Sequence, residues 1–175
     1  MVKVGVFCGS RSGNNESFIK MSKSVGRWIA VNNFELVYGG GSIGLMGALA
    51  DSCLESNGVV HGIIPKQLID MEVAKKDVTH FYETSNMHER KQKMYDLSDL
   101  FIALPGGLGT LDELFEIITW GQLGLHKKKC YLYNFNGFFK HLIQHIDHLV
   151  ETKFISTEDR KMITVIESLG ELVLK

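Results

Sequence analysis

The chain has 175 residues, of which 45% are hydrophobic and 22% are charged, and its formal net charge at pH 7 is −1. This size and composition are typical of one globular domain with a full hydrophobic core, so we expect residues 1–175 to form a single domain. A charge so close to zero argues against a nucleic-acid-binding surface and against attraction to an anionic membrane.

Predicted strands and helices alternate along the chain from its first residues. Strands are predicted at Lys3–Cys8, Glu35–Tyr38, Val59–Ile64, Val78–Tyr82, Leu100–Leu104 and Lys129–Tyr133, with Ile163–Ile166 as a further candidate. Helices are predicted at Glu16–Asn32, Ile43–Asn57, Met87–Ser98, Leu111–Leu123 and Phe138–Glu151. This alternation predicts an α/β fold, a Rossmann-like doubly wound, mainly parallel sheet of about six to seven strands with helices on both faces. The segment Pro65–Lys76 fits neither pattern, and unassigned loops of that length are often functional.

The cysteines and the N-terminal residues indicate in which cellular compartment the protein is expected. Cys8, Cys53 and Cys130 are odd in number and form no C-x-x-C motif, which predicts reduced thiols in a cytoplasmic protein, with Cys8 and Cys130 in the core. A strand is predicted from Lys3 onward with no basic segment and long apolar run before it, so we expect no signal peptide. No apolar run approaches membrane-spanning length, so we expect no membrane association.

Three loops follow predicted strands and are rich in glycine or small polar residues. They are Gly9–Asn15, Gly39–Gly44 and Pro105–Thr110. In a doubly wound parallel sheet, ligands bind at the carboxyl ends of the strands, and all three loops lie at that edge. The sequence therefore predicts one ligand site built from these loops.

The loop Pro105–Thr110 lies between an apolar strand and a helix that we expect to begin at Thr110 or Leu111. Glycines permit close approach of the backbone, and the N–H groups and dipole of a helix N-terminus attract an anion. Glu113 in the first helical turn has two interpretations. It completes a capping box with Thr110, or it faces a ligand held in the loop.

The loop Gly39–Gly44 contains the pattern G-x-G-x-x-G. A dinucleotide site also needs an acidic residue at the end of the next strand, but that strand ends in His61–Pro65 without one. A tight turn with helix–strand packing through Gly44 and Gly47 is one alternative. A mononucleotide site agrees better with the sequence than either, and the absence of a G-K-[ST] motif argues against a triphosphate P-loop.

The helix Met87–Ser98 places a charge on its apolar stripe. Arg90 lies three residues after Met87 and four before Met94, so we predict that it meets a ligand or a buried carboxylate. Lys91 borders the stripe and could extend to solvent. His141, His145 and His148 lie off the apolar stripe of their own helix, so we interpret them as surface residues and expect no metal site.

Three motifs in this order resemble those of one family. Pro105–Glu113 matches P-G-G-x-G-T-x-x-E, Gly39–Gly47 matches a second glycine loop, and Met87–Lys91 carries a basic pair. From its first strand to about Ile155 the chain resembles the Lonely Guy family of cytokinin-activating nucleoside 5′-monophosphate phosphoribohydrolases, long labelled lysine decarboxylases. The resemblance implies a Rossmann-like fold, a homodimer, and hydrolysis of a nucleotide's N-glycosidic bond to free base and ribose 5-phosphate. It implies no metal and no organic cofactor.

The resemblance also implies roles for individual residues. The catalytic arginine and glutamate of the family fall on Arg90 and Glu113. Its nucleotide-binding positions fall on Lys91, Gly107, Leu108, Gly109, Thr110 and Thr119, and Glu72 is the best match to a further substrate-binding glutamate. From the other two loops we expect Ser10, Gly40 and Gly41 to contact the substrate. The segment Pro65–Lys76 would then help to close a site near the dimer interface.

The chemistry of glycoside cleavage suits these residues. Departure of the base leaves an oxocarbenium-like ribosyl cation, which a carboxylate can stabilise or for which it can activate water. We predict this role for Glu113, with Arg90 orienting the ribose phosphate or the departing base. Three alternatives stay open: a non-catalytic nucleotide or cofactor carrier, a general purine-nucleotide nucleosidase, and a decarboxylase that would need a Schiff-base lysine. The sequence does not identify the base.

Overall fold

The structure is a computed structural model that describes residues 1–69 and 73–172. The strands are β1 (Lys3–Phe7), β2 (Glu35–Tyr38), β3 (Val59–Pro65), β4 (His80–Thr84), β5 (Leu100–Ala103), β6 (Cys130–Tyr133) and β7 (Ile163–Ile166). The helices are α1 (Glu16–Val31), α2 (Gly44–Glu55), α3 (Met87–Leu97), α4 (Leu108–Gln122), α5 (Lys140–Glu151) and α6 (Thr157–Lys161). Short 3₁₀ turns occupy Lys66–Leu68, Phe135–Gly137 and Leu169–Glu171.

The strands form one parallel sheet in the order β4-β3-β2-β1-β5-β6-β7. The chain builds outward from β1 to β4, then crosses back through α3 and continues from β5 to β7. The order therefore reverses between β1 and β5, where Val4 pairs with Leu36 on one side and with Leu100 on the other. This arrangement confirms the predicted doubly wound sheet, and it places the expected ligand crevice above β1 and β5.

The two faces of the sheet are covered by different helices. Along β5, Leu100 and Ile102 pack with α1 and α2, whereas Phe101 and Ala103 pack with α3, α4 and α5. Both faces are apolar because both are buried, which explains the continuous hydrophobic runs of the strands. All three cysteines are buried, as predicted for Cys8 and Cys130, and burial raises the pKa of Cys130 to about 12.

The helix α4 begins two to three residues earlier than predicted. Its N-cap is Gly107, and no side chain caps it, so of the two interpretations of Glu113 the capping box with Thr110 is wrong. The physical reason is that Thr110 is buried against Gly106, where a Cβ atom would collide with the threonine Oγ1 atom. A threonine turned inward cannot cap the helix, and Glu113 consequently lies in the second turn.

The edge strand β4 also begins later than predicted, at His80. The side chain of Thr79 accepts a hydrogen bond from the backbone N–H of Val60 over 3.1 Å, and backbone pairing starts only with His61 and His80. The short helix α6 was not predicted. A capping box of Ser156 and Asp159 begins it.

The unassigned segment Pro65–Lys76 includes a short strap, residues 73–75, over the second glycine loop. Ser42 N–H donates to the carbonyl of Val73 over 2.9 Å, and Lys75 N–H donates to that of Gly40 over 2.8 Å. Glu72 lies outside the described residues, so its predicted role receives no structural description. Within residues 1–69 and 73–172, no helix combines the length and apolar character needed to cross a bilayer.

Candidate active site

A cavity of about 470 Å³ opens at the carboxyl ends of β1 and β5. Its floor joins the loops after these strands, because Gly9 N–H donates to the carbonyl of Pro105 over 3.2 Å. The start of α2 is tied to the same place by a hydrogen bond from Leu45 N–H to the carbonyl of Gly9 over 3.1 Å. The crevice therefore lies at the switch point of the sheet, as the loop positions predict.

The N-terminus of α4 forms one wall of this cavity. Gly107, Leu108 and Gly109 line it, and no atom of the described residues lies within 4 Å of where a Cβ atom would stand at either glycine. The first N–H groups of any α-helix lack acceptors within the helix, and the helix dipole adds positive potential. An anion such as a phosphate can therefore approach the backbone here without steric obstruction.

Arg90 enters the cavity from α3. The helix begins at Met87 because Asn86 caps it, accepting a hydrogen bond from Glu89 N–H over 3.0 Å. Arg90 is only 5% exposed, and its Nη2 atom donates to the carbonyl of Gly39 over 3.0 Å. A Cβ atom at Gly39 would collide with that nitrogen, so glycine is needed for the arginine to hold this position.

Glu113 lines the same cavity from α4. Because Gly107 is the N-cap, Glu113 is not needed for capping. The interpretation of this carboxylate as part of a capping box therefore no longer applies. The structure thus brings together a buried guanidinium, a carboxylate and an open helix N-terminus. A cation, an acid and an anion cradle in one crevice suit a substrate that is a sugar phosphate.

The predicted site residues divide into those that line the cavity and those that lie elsewhere. Lining it are Ser10, Arg90, Gly107, Leu108, Gly109, Thr110 and Glu113. Gly40 and Gly41 instead support the loop behind Gly39. Gly40 has a φ of +77° and packs on Ile63 and Ile64, and Gly41 forms an antiparallel bridge with Ala74.

Two further predicted positions lie outside the described cavity lining. Thr119 is exposed on α4 and donates to the carbonyl of Phe115 over 2.7 Å. Lys91 points to α4, where its Nζ atom lies 3.2 Å from an Asp112 oxygen and 3.0 Å from a Glu116 oxygen. Burial alone would lower the pKa of Lys91, but the hydrogen bonds to these two carboxylates outweigh it and raise that pKa.

The structure also adds cavity residues that the sequence analysis did not select. Arg11 brings a second cation from the loop after β1. Phe18 and Phe138 form an aromatic wall, with ring centroids 5.7 Å apart in an edge-to-face contact. Phe138 is 43% exposed although its spacing places it on the apolar stripe of a helix, and it precedes α5 rather than belonging to it. In the sequence these two residues look like ordinary core positions. Their role in the cavity wall depends on the tertiary contact between Phe18 and Phe138, which the sequence does not display.

Metal-ligating groups are scattered in the structure. Within residues 1–69 and 73–172, no group of three or more His, Cys, Asp or Glu side chains is placed to hold a metal ion. His141, His145 and His148 are exposed on α5, in agreement with their prediction as surface residues. Lysine is also absent from the described residues that line the cavity.

Comparison with known proteins gives consistent matches over almost the whole chain. A family model described as "possible lysine decarboxylase" matches residues 46–175. A cytokinin riboside 5′-monophosphate phosphoribohydrolase of Arabidopsis thaliana is 43% identical over 173 residues, covering 99% of this chain and 80% of the relative. An enzyme of the same name from Rhodococcoides fascians is 41% identical over 167 residues, covering 95% of this chain and 84% of the relative.

Solved structures share the fold at much lower sequence identity. The molybdenum cofactor carrier protein of Chlamydomonas reinhardtii superposes with a TM-score of 0.73 at 20% identity, covering 97% of this chain and 91% of that one. The molybdenum cofactor binding protein of Rippkaea orientalis gives a TM-score of 0.69 at 22% identity, covering 95% and 90%. At this level of identity the likeness shows a common architecture and nothing about the ligand.

Proposed function

This chain belongs to the Lonely Guy family of phosphoribohydrolases, and we propose that it hydrolyses the N-glycosidic bond of nucleoside 5′-monophosphates to free base and ribose 5-phosphate. One observation carries the assignment of the site. Arg90 on α3 and Glu113 on α4 line the same cavity as the open N-terminus of α4. Hydrolysis of a nucleotide needs a carboxylate near the sugar and a positive site for the phosphate, and both are present here.

The proposed mechanism assigns a step to each group. The 5′-phosphate binds the N–H groups at the start of α4, next to Gly107 and Gly109. As the C1′–N bond breaks, its electron pair leaves with the base, which takes up a proton from solvent, and the ribose ring becomes cationic. Glu113 stabilises this cation or takes a proton from the water that attacks C1′, while Arg90 orients the phosphate or the departing base.

The aromatic wall bears on the choice of base. The relatives named above are cytokinin riboside 5′-monophosphate phosphoribohydrolases. We propose that the substrates here likewise include nucleoside 5′-monophosphates whose base is adenine with an apolar N6 substituent. Phe18 and Phe138 add an aromatic surface to a cavity that Leu45, Met46 and Met87 also line. An apolar substituent gains by leaving water for such a surface, at about 0.8 kcal/mol per buried CH₂ group.

The alternatives have weaker support. A decarboxylase of the pyridoxal phosphate type needs a Schiff-base lysine, and none is among the described residues that line the cavity. A carrier role is supported only by shared architecture. A general purine-nucleotide nucleosidase uses the same chemistry, and the aromatic wall is the feature that favours a substituted base.

We further propose that residues 1–175 act as one nucleotide-binding domain in a cytoplasmic homodimer that needs no metal or organic cofactor. Support for a second copy comes from apolar side chains on and after α4, since Phe115, Leu123 and Leu125 are all exposed. Buried thiols at Cys53 and Cys130 agree with a reducing compartment. The mass of the purified protein in solution, measured by light scattering, tests the dimer.

The decisive experiment is to incubate the protein with AMP and with isopentenyladenosine 5′-monophosphate and to measure the released base. We expect release from both, and a loss of kcat/KM of about 100-fold or more in Glu113→Gln and in Arg90→Ala, because each removes a charge at the reacting sugar. Glu158→Gln and Arg27→Ala, both at exposed positions away from the cavity, serve as matched controls. The site assignment is wrong if either cavity variant stays within a few-fold of wild type.

A further inference from the structure

Arg11 lies in the loop that joins β1 to α1, and both ends of this loop are fixed. At its start, Gly9 N–H donates to the carbonyl of Pro105 over 3.2 Å. At its end, Asn15 caps α1 by accepting a hydrogen bond from Ser17 N–H over 2.9 Å. The backbone that carries Arg11 is therefore held between the loop after β5 and the first turn of α1.

This loop runs beside the N-terminus of α4. A Cβ atom at Gly9 would stand 3.3 Å from the Cα atom of Gly106, the residue before the N-cap Gly107. Arg11 follows two residues after Gly9. It lines the same cavity as Gly107 and Gly109. The loop after β1 therefore brings a side-chain cation to the cavity that contains the open N–H groups of α4.

The two arginines of the cavity differ in what surrounds them. Arg90 is buried, and its Nη2 atom donates to the carbonyl of Gly39, so the protein itself sets its position. Arg11 is exposed, and within residues 1–69 and 73–172 no hydrogen bond or ion pair engages its side chain. The five N–H donors of its guanidinium can therefore turn to a ligand in the cavity.

The charges around the cavity show what the second arginine contributes. Among the described lining residues, two arginines and two acids cancel in formal charge at neutral pH; they are Arg11, Arg90, Asp112 and Glu113. Beside them, Lys91 and Glu116 add one charge of each sign. A nucleoside 5′-monophosphate brings about two negative charges, since the second pKa of a phosphate monoester is about 6. Without Arg11 these residues would be negative in sum, and the α4 dipole, equivalent to about half a charge, would do little to offset the phosphate.

We propose that Arg11 binds the 5′-phosphate of the substrate together with the N-terminus of α4, and thereby determines the preference of the site for nucleotides over nucleosides. This proposal rests on the proposed function and adds a residue that the sequence motifs did not select. A guanidinium suits the role because its planar fork of N–H groups matches two oxygens of a phosphate. The alternative is that Arg11 stacks on the base beside Phe18, and the experiment must separate the two contacts.

The kinetic test compares Arg11→Gln with wild type on AMP and on adenosine. KM for AMP rises about tenfold, which is typical of losing a hydrogen bond to a charged group, and kcat changes less than about twofold. The kcat/KM for adenosine, which has no phosphate, stays within about twofold, so the preference for AMP falls about tenfold. Arg11→Lys keeps the charge but not the fork and loses about threefold. Arg27→Gln, at an exposed arginine of α1 away from the cavity, is the matched control.

Binding of ribose 5-phosphate gives a readout that needs no turnover. In isothermal titration calorimetry, Kd for ribose 5-phosphate rises about tenfold in Arg11→Gln, whereas Kd for adenine does not change. The binding of ribose 5-phosphate also depends less on ionic strength in this variant, because one of the attracting charges is gone. Equal midpoints of thermal unfolding in the variant and in wild type confirm that the fold is kept.

The opposite results would overturn the proposal. An equal Kd for ribose 5-phosphate in wild type and in Arg11→Gln places the phosphate away from Arg11. An equal loss on AMP and on adenosine, or a higher Kd for adenine, assigns Arg11 to the base or to the structure of its loop. If the wild-type protein binds ribose 5-phosphate but releases no base from AMP, the proposed function fails, and a tenfold change in Kd still supports the phosphate contact. If it binds no ribose 5-phosphate, the phosphate contact itself is refuted.

Discussion

The guanidinium of Arg90 lies against the backbone of Gly39, where its Nη2 atom donates to the glycine carbonyl over 3.0 Å. The carboxyl end of β2 therefore fixes a side chain that arrives from α3. The contact leaves no space for a side chain at position 39. The requirement for glycine at position 39 is therefore steric and comes from the proposed catalytic arginine, since Gly39 is not one of the positions with a positive φ.

This relationship predicts the effect of Gly39→Ala. The added methyl group must displace the guanidinium, so we expect kcat/KM for AMP to fall about 100-fold, as displacement of a catalytic group by about 1 Å can cause. Overpacking should lower the free energy of unfolding by about 1–3 kcal/mol. Gly170→Ala is a fitting control, because among the described residues its Cβ atom would meet only Ser168, at 3.8 Å. Urea unfolding and a base-release assay measure the two effects; an unchanged kcat/KM would contradict the proposed geometry.

The anion cradle at the start of α4 predicts a strong preference for nucleotides over nucleosides. Two hydrogen bonds to a phosphate at about 1.5 kcal/mol each would make kcat/KM for AMP about 100-fold higher than for adenosine. The preference for AMP should weaken as ionic strength rises, because dissolved ions screen the attraction between the phosphate and the N-terminus of α4. Equal rates for the two substrates would remove the phosphate from the proposed binding mode.

The aromatic wall predicts that Phe138→Ala changes substrate preference more than overall activity. We expect the ratio of kcat/KM for isopentenyladenosine 5′-monophosphate to that for AMP to fall about tenfold, a change typical of losing part of an apolar pocket. Phe154→Ala is the matched control, because Phe154 is 80% exposed and lies away from the cavity. A ratio that is the same in both variants would place the base substituent elsewhere.

A hydrogen bond between side chains of the neighbouring strands β2 and β3 predicts how the free energy of unfolding depends on pH. The Nε2 atom of His61 lies 2.7 Å from a carboxylate oxygen of Glu35, and its ring stacks on His80 with centroids 4.5 Å apart. Burial lowers the pKa of His61 below its ordinary value of 6.5 and outweighs the hydrogen bond to Glu35, which would raise it. The imidazole is therefore neutral at pH 7, and its N–H donates to the carboxylate.

The sign of the effect follows from the protons that each state binds. Below pH 6.5 the unfolded chain protonates His61 while the folded chain resists protonation, so the free energy of unfolding falls as pH decreases through that range. Burial alone would raise the pKa of Glu35, but His61 and Lys3 lower it, which adds a further loss below pH 4.5. Urea unfolding measures the free energy of unfolding at pH 7.5 and at pH 5.5. The difference between these two free energies should be smaller in His61→Gln than in wild type. His145→Gln, at an exposed histidine, should behave as wild type.

Much of the fold was predictable because burial on both faces leaves a simple pattern. All seven predicted strands are present. Short apolar runs that are bounded by glycines and polar residues are typical of buried strands, so they could be recognised directly. Arg90 could be selected because a charge on an apolar stripe is costly without a partner. Both predictions depend on local spacing, which a sequence displays directly.

Contacts between distant segments were not predictable in this way. Sequence spacing allowed a capping box at Thr110 as one interpretation of Glu113, but the threonine is turned inward to meet Gly106. Lys91 was expected to face solvent or substrate, and its partners are two carboxylates some twenty residues away on another helix. Before the first residue of β4, the partner of Val60 N–H is likewise the side chain of Thr79, and backbone pairing begins only at His80. Each of these outcomes is decided by packing across the fold, for which the local pattern carries no signal.

The crossover through α3 has a consequence for how activity is acquired during folding. This helix leaves the outermost strand, β4, and returns the chain to β5 beside β1, so Arg90 follows the first four strands and Glu113 follows β5. The floor of the cavity that both groups line joins the loops after β1 and β5, so the site is complete only when these two strands, nearly a hundred residues apart, have paired. Such non-local pairing is slow because chain closure must precede the contacts that reward it. During refolding, the activity measured as base release should therefore return later than the helical circular dichroism signal. The time at which it returns reports when β1 and β5 have paired.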